Sequence, residues 1–222
     1  MIIARGTDSV GSWHFPLEDA RSTAAPRERW QRCLRLLVAA APLAEAAELI
    51  VYPVQAVLVT GRGAGAPPPL VVHVGTPEEL GPALEAMVAQ REFAFGDIEL
   101  QAESVICAPP GRRRISGAFE LECNVLGYDA YLTVSTRADV WLPFDLLARP
   151  QPKVSRMNAP RLQSTLAGIA LAVGAAGFAE DTRFALVDEY ALRNREIQGG
   201  ALDLQDMGYD ESWIIERWPE PE

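Results

Sequence analysis

The chain has 222 residues, with 30 acidic and 20 basic side chains and a formal net charge of -10. Hydrophobic residues make up 49% and charged residues 23%, which excludes a disordered, collagen-like or fibrous chain. The acidic balance argues against nucleic-acid binding, because affinity for a phosphate backbone needs a surplus of Lys and Arg. All basic residues except Lys153 are Arg, which is typical of GC-rich, often bacterial, coding sequences.

The cysteine content and the hydropathy of the sequence indicate where in the cell the protein is expected. Cys33, Cys107 and Cys123 are far apart and form no CxxC pair, which predicts three reduced thiols in a cytoplasmic protein rather than a disulfide framework or a zinc site. The N-terminus lacks the basic start and apolar run of a signal peptide. The uncharged stretch 162–179 contains polar residues, so we expect a helix packed on a sheet rather than a membrane span.

Negative charge is concentrated at the C-terminal end. Residues 178–222 hold 12 acidic and 4 basic side chains, a net charge of -8 that accounts for most of the total. We therefore predict one α+β domain over residues 1–177 and an acidic C-terminal extension over residues 178–222, packed at least partly on that domain.

The first half of the chain predicts two helices and a hairpin. Residues 1–25 could supply one edge strand and a loop. Pro26 opens a helix with apolar residues at helical spacing, which Pro42 should end or kink. The apolar runs 49–60 and 70–74 predict the two strands of a hairpin.

A second helix follows this hairpin. Thr76, Pro77 and Glu79 form a capping-box pattern, so we expect a helix that runs to about Arg91.

The second half predicts a block of strands and a last helix. Residues 93–107, 115–126 and 128–142 have the composition of consecutive antiparallel strands. Asn158 is expected to cap a helix that ends near residue 176. A short strand or helix around 184–192, a Gly-Gly turn and the acidic tail complete the chain. The expected fold is a two-layer α+β fold, with a mainly antiparallel sheet of about five to seven strands and about three helices packed on one face.

The alternation within these strands also predicts their register. Odd-numbered residues of 115–125 are mostly apolar, as are even-numbered residues of the two neighbouring strands, and the apolar faces must coincide. This register places Glu99, Glu103, Glu120 and Glu122 on one polar face, with Asp129 and Tyr131 on the adjoining strand. Like charges on opposed strands are unfavourable, so this face is either fully solvated or neutralised by cations or a basic partner.

The tail interleaves acids with aromatic residues. These residues could fold onto a basic, apolar partner groove, or the two Trp side chains could dock on the protein's own core. The acids do not have EF-hand spacing. The residues of this predicted partner-binding segment are Asp203, Asp206, Tyr209, Asp210, Trp213 and Trp218.

Other motifs carry less information. His14 and His73 are candidate general bases, although each lies among apolar residues as structural histidines do. The glycine-rich loop 61–65 leads to prolines and a strand, whereas a phosphate-binding loop leads directly to a helix. The run 112–114 of three arginines could grip an anion or could be a solvated hairpin tip. No hydrolase, zinc-protease, kinase or Rossmann motif is present.

These observations favour a non-catalytic acidic binding protein, with no cofactor, no metal and no catalytic residue assigned. One form of it is an immunity or inhibitor-type protein that neutralises a basic protein partner. An alternative is a small-molecule enzyme with a carboxylate-based site on the open sheet face, with Glu120 or Glu122 as acid or base, Tyr131 as donor and an Arg as anion clamp. A further alternative is a structural subunit of a larger assembly. A concave face with a buried carboxylate would favour the enzyme, and a flat, exposed face would exclude it.

Overall fold

A computed structural model describes nine stretches of the chain: residues 2–4, 9–16, 25–61, 66–90, 95–109, 111–126, 129–197, 200–208 and 214–217. These stretches form an antiparallel sheet with helices packed on one face, which confirms the predicted α+β class. The sheet in the described residues has eight strands, more than the predicted five to seven. The predicted strand 115–126 forms two strands, and a further short strand at Phe178–Ala179 joins the sheet.

The described residues contain three helices: α1 (Pro26–Ala46), α2 (Pro77–Ala89) and α3 (Pro152–Val173). Helix α1 continues through Pro42, where the sequence predicted an end or a kink. Helix α2 begins at Pro77, as predicted. The predicted capping box does not form, because Thr76 makes no side-chain capping bond and the Glu79 carboxylate accepts from the backbone N–H of Gly75 at 2.8 Å. Among helices in the described residues, none is long and apolar enough to cross a bilayer.

Helix α3 begins six residues before the predicted start at Asn158. Pro152 occupies the first turn, which its fixed φ suits. Asn158 is instead fully buried inside the helix, where its amide nitrogen donates to the carbonyl oxygen of Cys107 at 2.7 Å and its amide oxygen accepts from the Cys107 N–H at 3.0 Å. The side chain that resembled a cap therefore joins α3 to the sheet. The left-handed conformation that ends α3 falls on Gly174, at φ 70°.

The main sheet has the strand order β4-β3-β5-β7-β8-β2-β9, with β6 paired to the end of β5. Three small two-stranded ribbons pair β1 with β14, β10 with β11, and β12 with β13. Strand β2 lies inside the main sheet between β8 and β9, although residues 1–25 were expected to give an edge strand. The bounds of the strands are β1 Ile2–Ala4, β2 Gly11–Pro16, β3 Val51–Val59, β4 Leu70–Val74, β5 Gly96–Ala108, β6 Gly111–Ser116, β7 Glu120–Leu126, β8 Asp129–Thr136, β9 Phe178–Ala179, β10 Ala185–Asp188, β11 Ala191–Asn194, β12 Glu196–Ile197, β13 Gly200–Ala201 and β14 Ile214–Arg217.

The predicted strand 115–126 is divided in two. Gly117 has a φ of 72°, which interrupts the extended chain between β6 and β7. The 13-residue strand β5 then pairs with β7 along its first half and with β6 along its second half. The arginine run expected in a turn therefore lies within β6, where Arg112 forms an ion pair with Glu48, and Arg114 lies 3.7 Å from Glu103.

The core lies between the sheet and the helices. Trp13, Phe15, Trp30, Phe119 and Trp141 are its largest fully buried side chains. Leu192 and Leu204 also belong to this core, so residues beyond 177 contribute to it. The division of the chain at residue 177 stays a prediction.

Two cysteines meet inside this core, contrary to the expectation of three separate thiols. The structure joins Cys33 of α1 to Cys123 of β7 as a disulfide, with Cα atoms 5.9 Å apart, and leaves Cys107 free. The two residues are 90 positions apart in the sequence, and only the packing of α1 on β7 brings them together.

Candidate functional site

The open face of the main sheet carries the predicted polar residues in the predicted register. Ile98 pairs with Cys123 and Leu121 with Val134, so odd residues of β7 oppose even residues of both neighbours. The apolar partners face the helices and are fully buried. The polar face predicted from period-two alternation is therefore confirmed.

Pairing arranges the open-face side chains in rows that cross the strands. We call the longest of these the central row, and it places Glu99 directly opposite Glu122. Thr133 and His14 continue the row towards one edge of the sheet, and apolar residues continue it towards the other. In spatial order the central row consists of Phe178, His14, Thr133, Glu122, Glu99, Val57 and Val71.

This face is concave rather than flat. Two adjoining depressions of about 630 and 500 Å³ share Glu99, Glu120 and Arg137, and together they form one groove across the sheet. The larger depression, here the β2 half, lies over β2, β7 and β8, and the smaller one, the β3 half, lies over β3 and β5. The β2 half is lined by four glutamates and one arginine among the described residues, so its lining is acidic.

Glu120 stands between the two halves of the groove and is largely enclosed. Its side chain is 13% exposed, lies 2.7 Å from the guanidinium of Arg137 and accepts a hydrogen bond from the Ser135 hydroxyl at 3.2 Å. Burial raises the pKa of this carboxyl, and nearby Glu99 adds to the rise, while Arg137 and Ser135 oppose it. The net direction is upward because desolvation is the largest cause. A concave face with a largely enclosed carboxylate meets the condition that the sequence analysis set for the enzyme alternative.

A chain of hydrogen bonds runs across four strands beside the central row. The Asn124 amide donates to the Asp97 carboxylate at 3.1 Å, and the Thr133 hydroxyl donates to the Asn124 amide oxygen at 2.7 Å. His14 Nδ1 lies 3.1 Å from the Thr133 oxygen, and His14 Nε2 lies 3.3 Å from the Ser12 hydroxyl oxygen. The imidazole is thus held at both nitrogens on the floor of the β2 half.

One aromatic ring packs beside the imidazole, and a second ring contacts the first. The Phe178 ring lies 5.3 Å from that of His14, and Tyr131 meets the edge of Phe178 at 6.2 Å. Burial lowers the pKa of His14, whereas the negative charge of Glu180 raises it, and the net shift is downward. His14 is therefore predominantly neutral at neutral pH.

The residues predicted from sequence divide into three groups. Glu99, Glu120, Glu122 and Tyr131 line the β2 half, and Glu103 lines the β3 half. Asp203 and Asp206 lie elsewhere, in a turn where each carboxylate accepts a hydrogen bond from the other residue's backbone N–H. The remaining predicted residues, Tyr209, Asp210, Trp213 and Trp218, lie outside the described residues.

Sequence reasoning did not assign several residues of the groove. Ser12 alternates with buried Trp13, and the same period-two argument could have placed it beside His14 on the open face. Phe178 and Arg137 lie just outside the long strands, where alternation gives no signal. Asn124, Thr133, Ser135 and Glu180 also line the β2 half without having been assigned, and Asp97 bonds Asn124.

Comparisons with known proteins identify no relative. No family model, curated protein or solved structure matches the chain. In the described ranges, no group of His, Cys, Asp and Glu side chains is arranged to hold a metal ion. The fold and the site therefore define an α+β protein with an acidic groove on its open sheet face.

Proposed function

We propose that the protein binds a positively charged partner along the groove of its open sheet face. The observation that carries this proposal is the placement of Glu99 directly opposite Glu122 in the middle of that groove. Two carboxylates opposed across neighbouring strands repel each other, and a bound cation would relieve this cost.

The size of the groove suits an extended segment of a basic protein. From β9 to β3 the groove crosses six strands, which at about 4.8 Å per spacing gives a length of about 24 Å. An extended chain of about seven residues has that length. The net charge of -10 would also speed encounter with a basic protein. An inhibitor or immunity-type protein that neutralises a basic partner is one form of this function.

The test compares two double variants with the same change in charge. A fluorescent heptalysine peptide is titrated against the wild type, against Glu99→Gln/Glu122→Gln, and against Glu85→Gln/Glu196→Gln, whose glutamates are exposed outside the groove. We expect the groove variant to weaken binding by at least about tenfold and the control by less than about twofold. Equal weakening would show that the peptide responds only to net charge, and this would contradict the proposal.

The largely enclosed Glu120 specifically favours a second candidate, an enzyme that uses this carboxyl as acid or base. Burial raises the pKa of this carboxyl, a shift towards the protonated form that a general acid needs. A thermal-shift screen of small polar molecules would test this candidate, with Glu120→Gln as the control. Ligands whose stabilisation disappears in the variant would support it, and the absence of any such ligand would count against it. The structural-subunit alternative depends on the tail, and salt-insensitive association that disappears when residues 203–222 are removed would support it.

A further inference from the structure

Ser12 and His14 have the relation of a nucleophile and its base. They are two residues apart on β2, so both side chains lie on the open face, where both line the β2 half of the groove. The Ser12 hydroxyl oxygen is 3.3 Å from His14 Nε2. In serine-dependent acyl transfer this contact is the one that activates the hydroxyl, and it is often slightly long before substrate binds.

The hydrogen-bond chain behind His14 determines which nitrogen carries the proton. The Asp97 carboxylate only accepts, so Asn124 turns its amide nitrogen towards Asp97 and its amide oxygen towards Thr133. The Thr133 hydroxyl donates its proton to the Asn124 amide oxygen. The Thr133 hydroxyl oxygen can therefore only accept a hydrogen bond from His14 Nδ1–H. Neutral His14 consequently has its lone pair on Nε2, at the Ser12 hydroxyl.

We propose that Ser12 is a nucleophile and His14 its general base, and that the β2 half of the groove takes acyl groups from carboxylic esters. The Ser12 oxygen bonds to the ester carbonyl carbon while its proton moves to His14 Nε2. The bond from that carbon to the alcohol oxygen then breaks, and His14 returns the proton to the departing oxygen. Water hydrolyses the acyl-serine by the same proton transfers and releases the acid.

Neighbouring charges suit both stages of this reaction. When His14 becomes protonated, the negative charge of nearby Glu180 stabilises the imidazolium. The Nδ1–H of His14 is hydrogen-bonded to Thr133, which is connected through Asn124 to the Asp97 carboxylate. Among the described residues that line this half, Arg137 is the one cation. Its guanidinium has five N–H donors, so with Glu120 bound it still offers donors to a carbonyl oxygen that gains negative charge.

A fluorophosphonate probe tests the nucleophile directly, because a serine oxygen displaces its fluoride and remains bound to phosphorus. We expect a single adduct on the peptide containing Ser12, no adduct in Ser12→Ala, and labelling at least about 100-fold slower in His14→Gln. Ser164→Ala is the matched control, since that hydroxyl is exposed on α3, away from the groove. Hydrolysis of p-nitrophenyl acetate should follow the same order. Labelling of another residue, labelling independent of His14, or no labelling of the folded wild type would overturn the proposal.

Thr133 acts through His14 and is a positioning residue. In Thr133→Val the His14 Nδ1–H loses its acceptor, so we expect labelling to slow by about tenfold and its pH midpoint to move, with both restored in Thr133→Ser. The charged and titratable groups around His14 are Glu180 from the β9 side, Tyr131 on β8, Glu122 on β7, Asp97 through the chain, and Arg137. Slower labelling with an unchanged pH midpoint would assign Thr133 a purely structural role. The labelling of Ser12 does not depend on whether the protein binds heptalysine. The proposal of a basic partner and the proposal of a Ser12 nucleophile can therefore fail separately.

Discussion

Replacing Glu99 with Gln should stabilise the protein, although it removes a charge from the candidate site. Glu99 lies opposite Glu122 and close enough to Glu120 to raise the pKa of that carboxyl. Two unit charges about 6 Å apart in a water-like dielectric repel by about 0.7 kcal/mol. Opposed like charges on strands cost up to about 1 kcal/mol by the same reasoning. With two neighbouring carboxylates, we expect the free energy of unfolding to rise by about 1 kcal/mol.

Urea unfolding of Glu99→Gln and of the exposed control Glu85→Gln measures this difference. In about 1 M NaCl the Debye length falls to about 3 Å, so the gain of Glu99→Gln should largely disappear. The control should change stability by less than about 0.5 kcal/mol in either buffer. A loss of stability in Glu99→Gln, or a gain that survives high salt, would refute the repulsion on which the proposed function rests.

Two further predictions concern pH and the helix–sheet junction. Burial raises the pKa of Glu120 above its ordinary value, so just above that ordinary value the folded state binds more protons than the unfolded state, and the free energy of unfolding should fall as pH rises. Glu120→Gln should remove that slope in urea titrations from about pH 4 to about pH 7, and an unchanged slope would contradict the assigned burial. Asn158→Ala leaves the backbone N–H and C=O of Cys107 unpaired, so we expect a loss of about 3 kcal/mol in urea unfolding. A loss below about 1 kcal/mol would show that water replaces the amide.

Alternation in the sequence was sufficient to predict the acidic half of the site. A period of two, combined with the need to bury one face, determines which face of the sheet each residue of β5 and β7 occupies. It therefore placed Glu99, Glu103, Glu120 and Glu122 on one polar face, whereas the direct opposition of Glu99 and Glu122 is known only from the observed strand pairing. The same logic predicted that Tyr131 lies on the open face.

The other half of the site depends on contacts that leave no local pattern. The chain behind His14 draws Thr133, Asn124 and Asp97 from three different strands, so no spacing within one segment reveals it. Asn158 shows a related difficulty, since an Asn before an apolar helix has the composition of a cap, yet its buried amide binds another strand. The prediction that Asn158 caps the helix was therefore wrong, because its partner lies on a strand far away in the sequence.

The central row also constrains how this protein can vary in evolution. Its seven side chains come from seven strands, and each lies on the open face because of its parity in the strand. Inserting or deleting one residue within a strand would turn the following side chains towards the core, whereas the connecting loops can change length freely. Distant homologues should therefore conserve which strand positions face the groove and which face the core more strictly than they conserve residue identity. An alignment that forbids gaps inside these strands would be the appropriate way to recognise them.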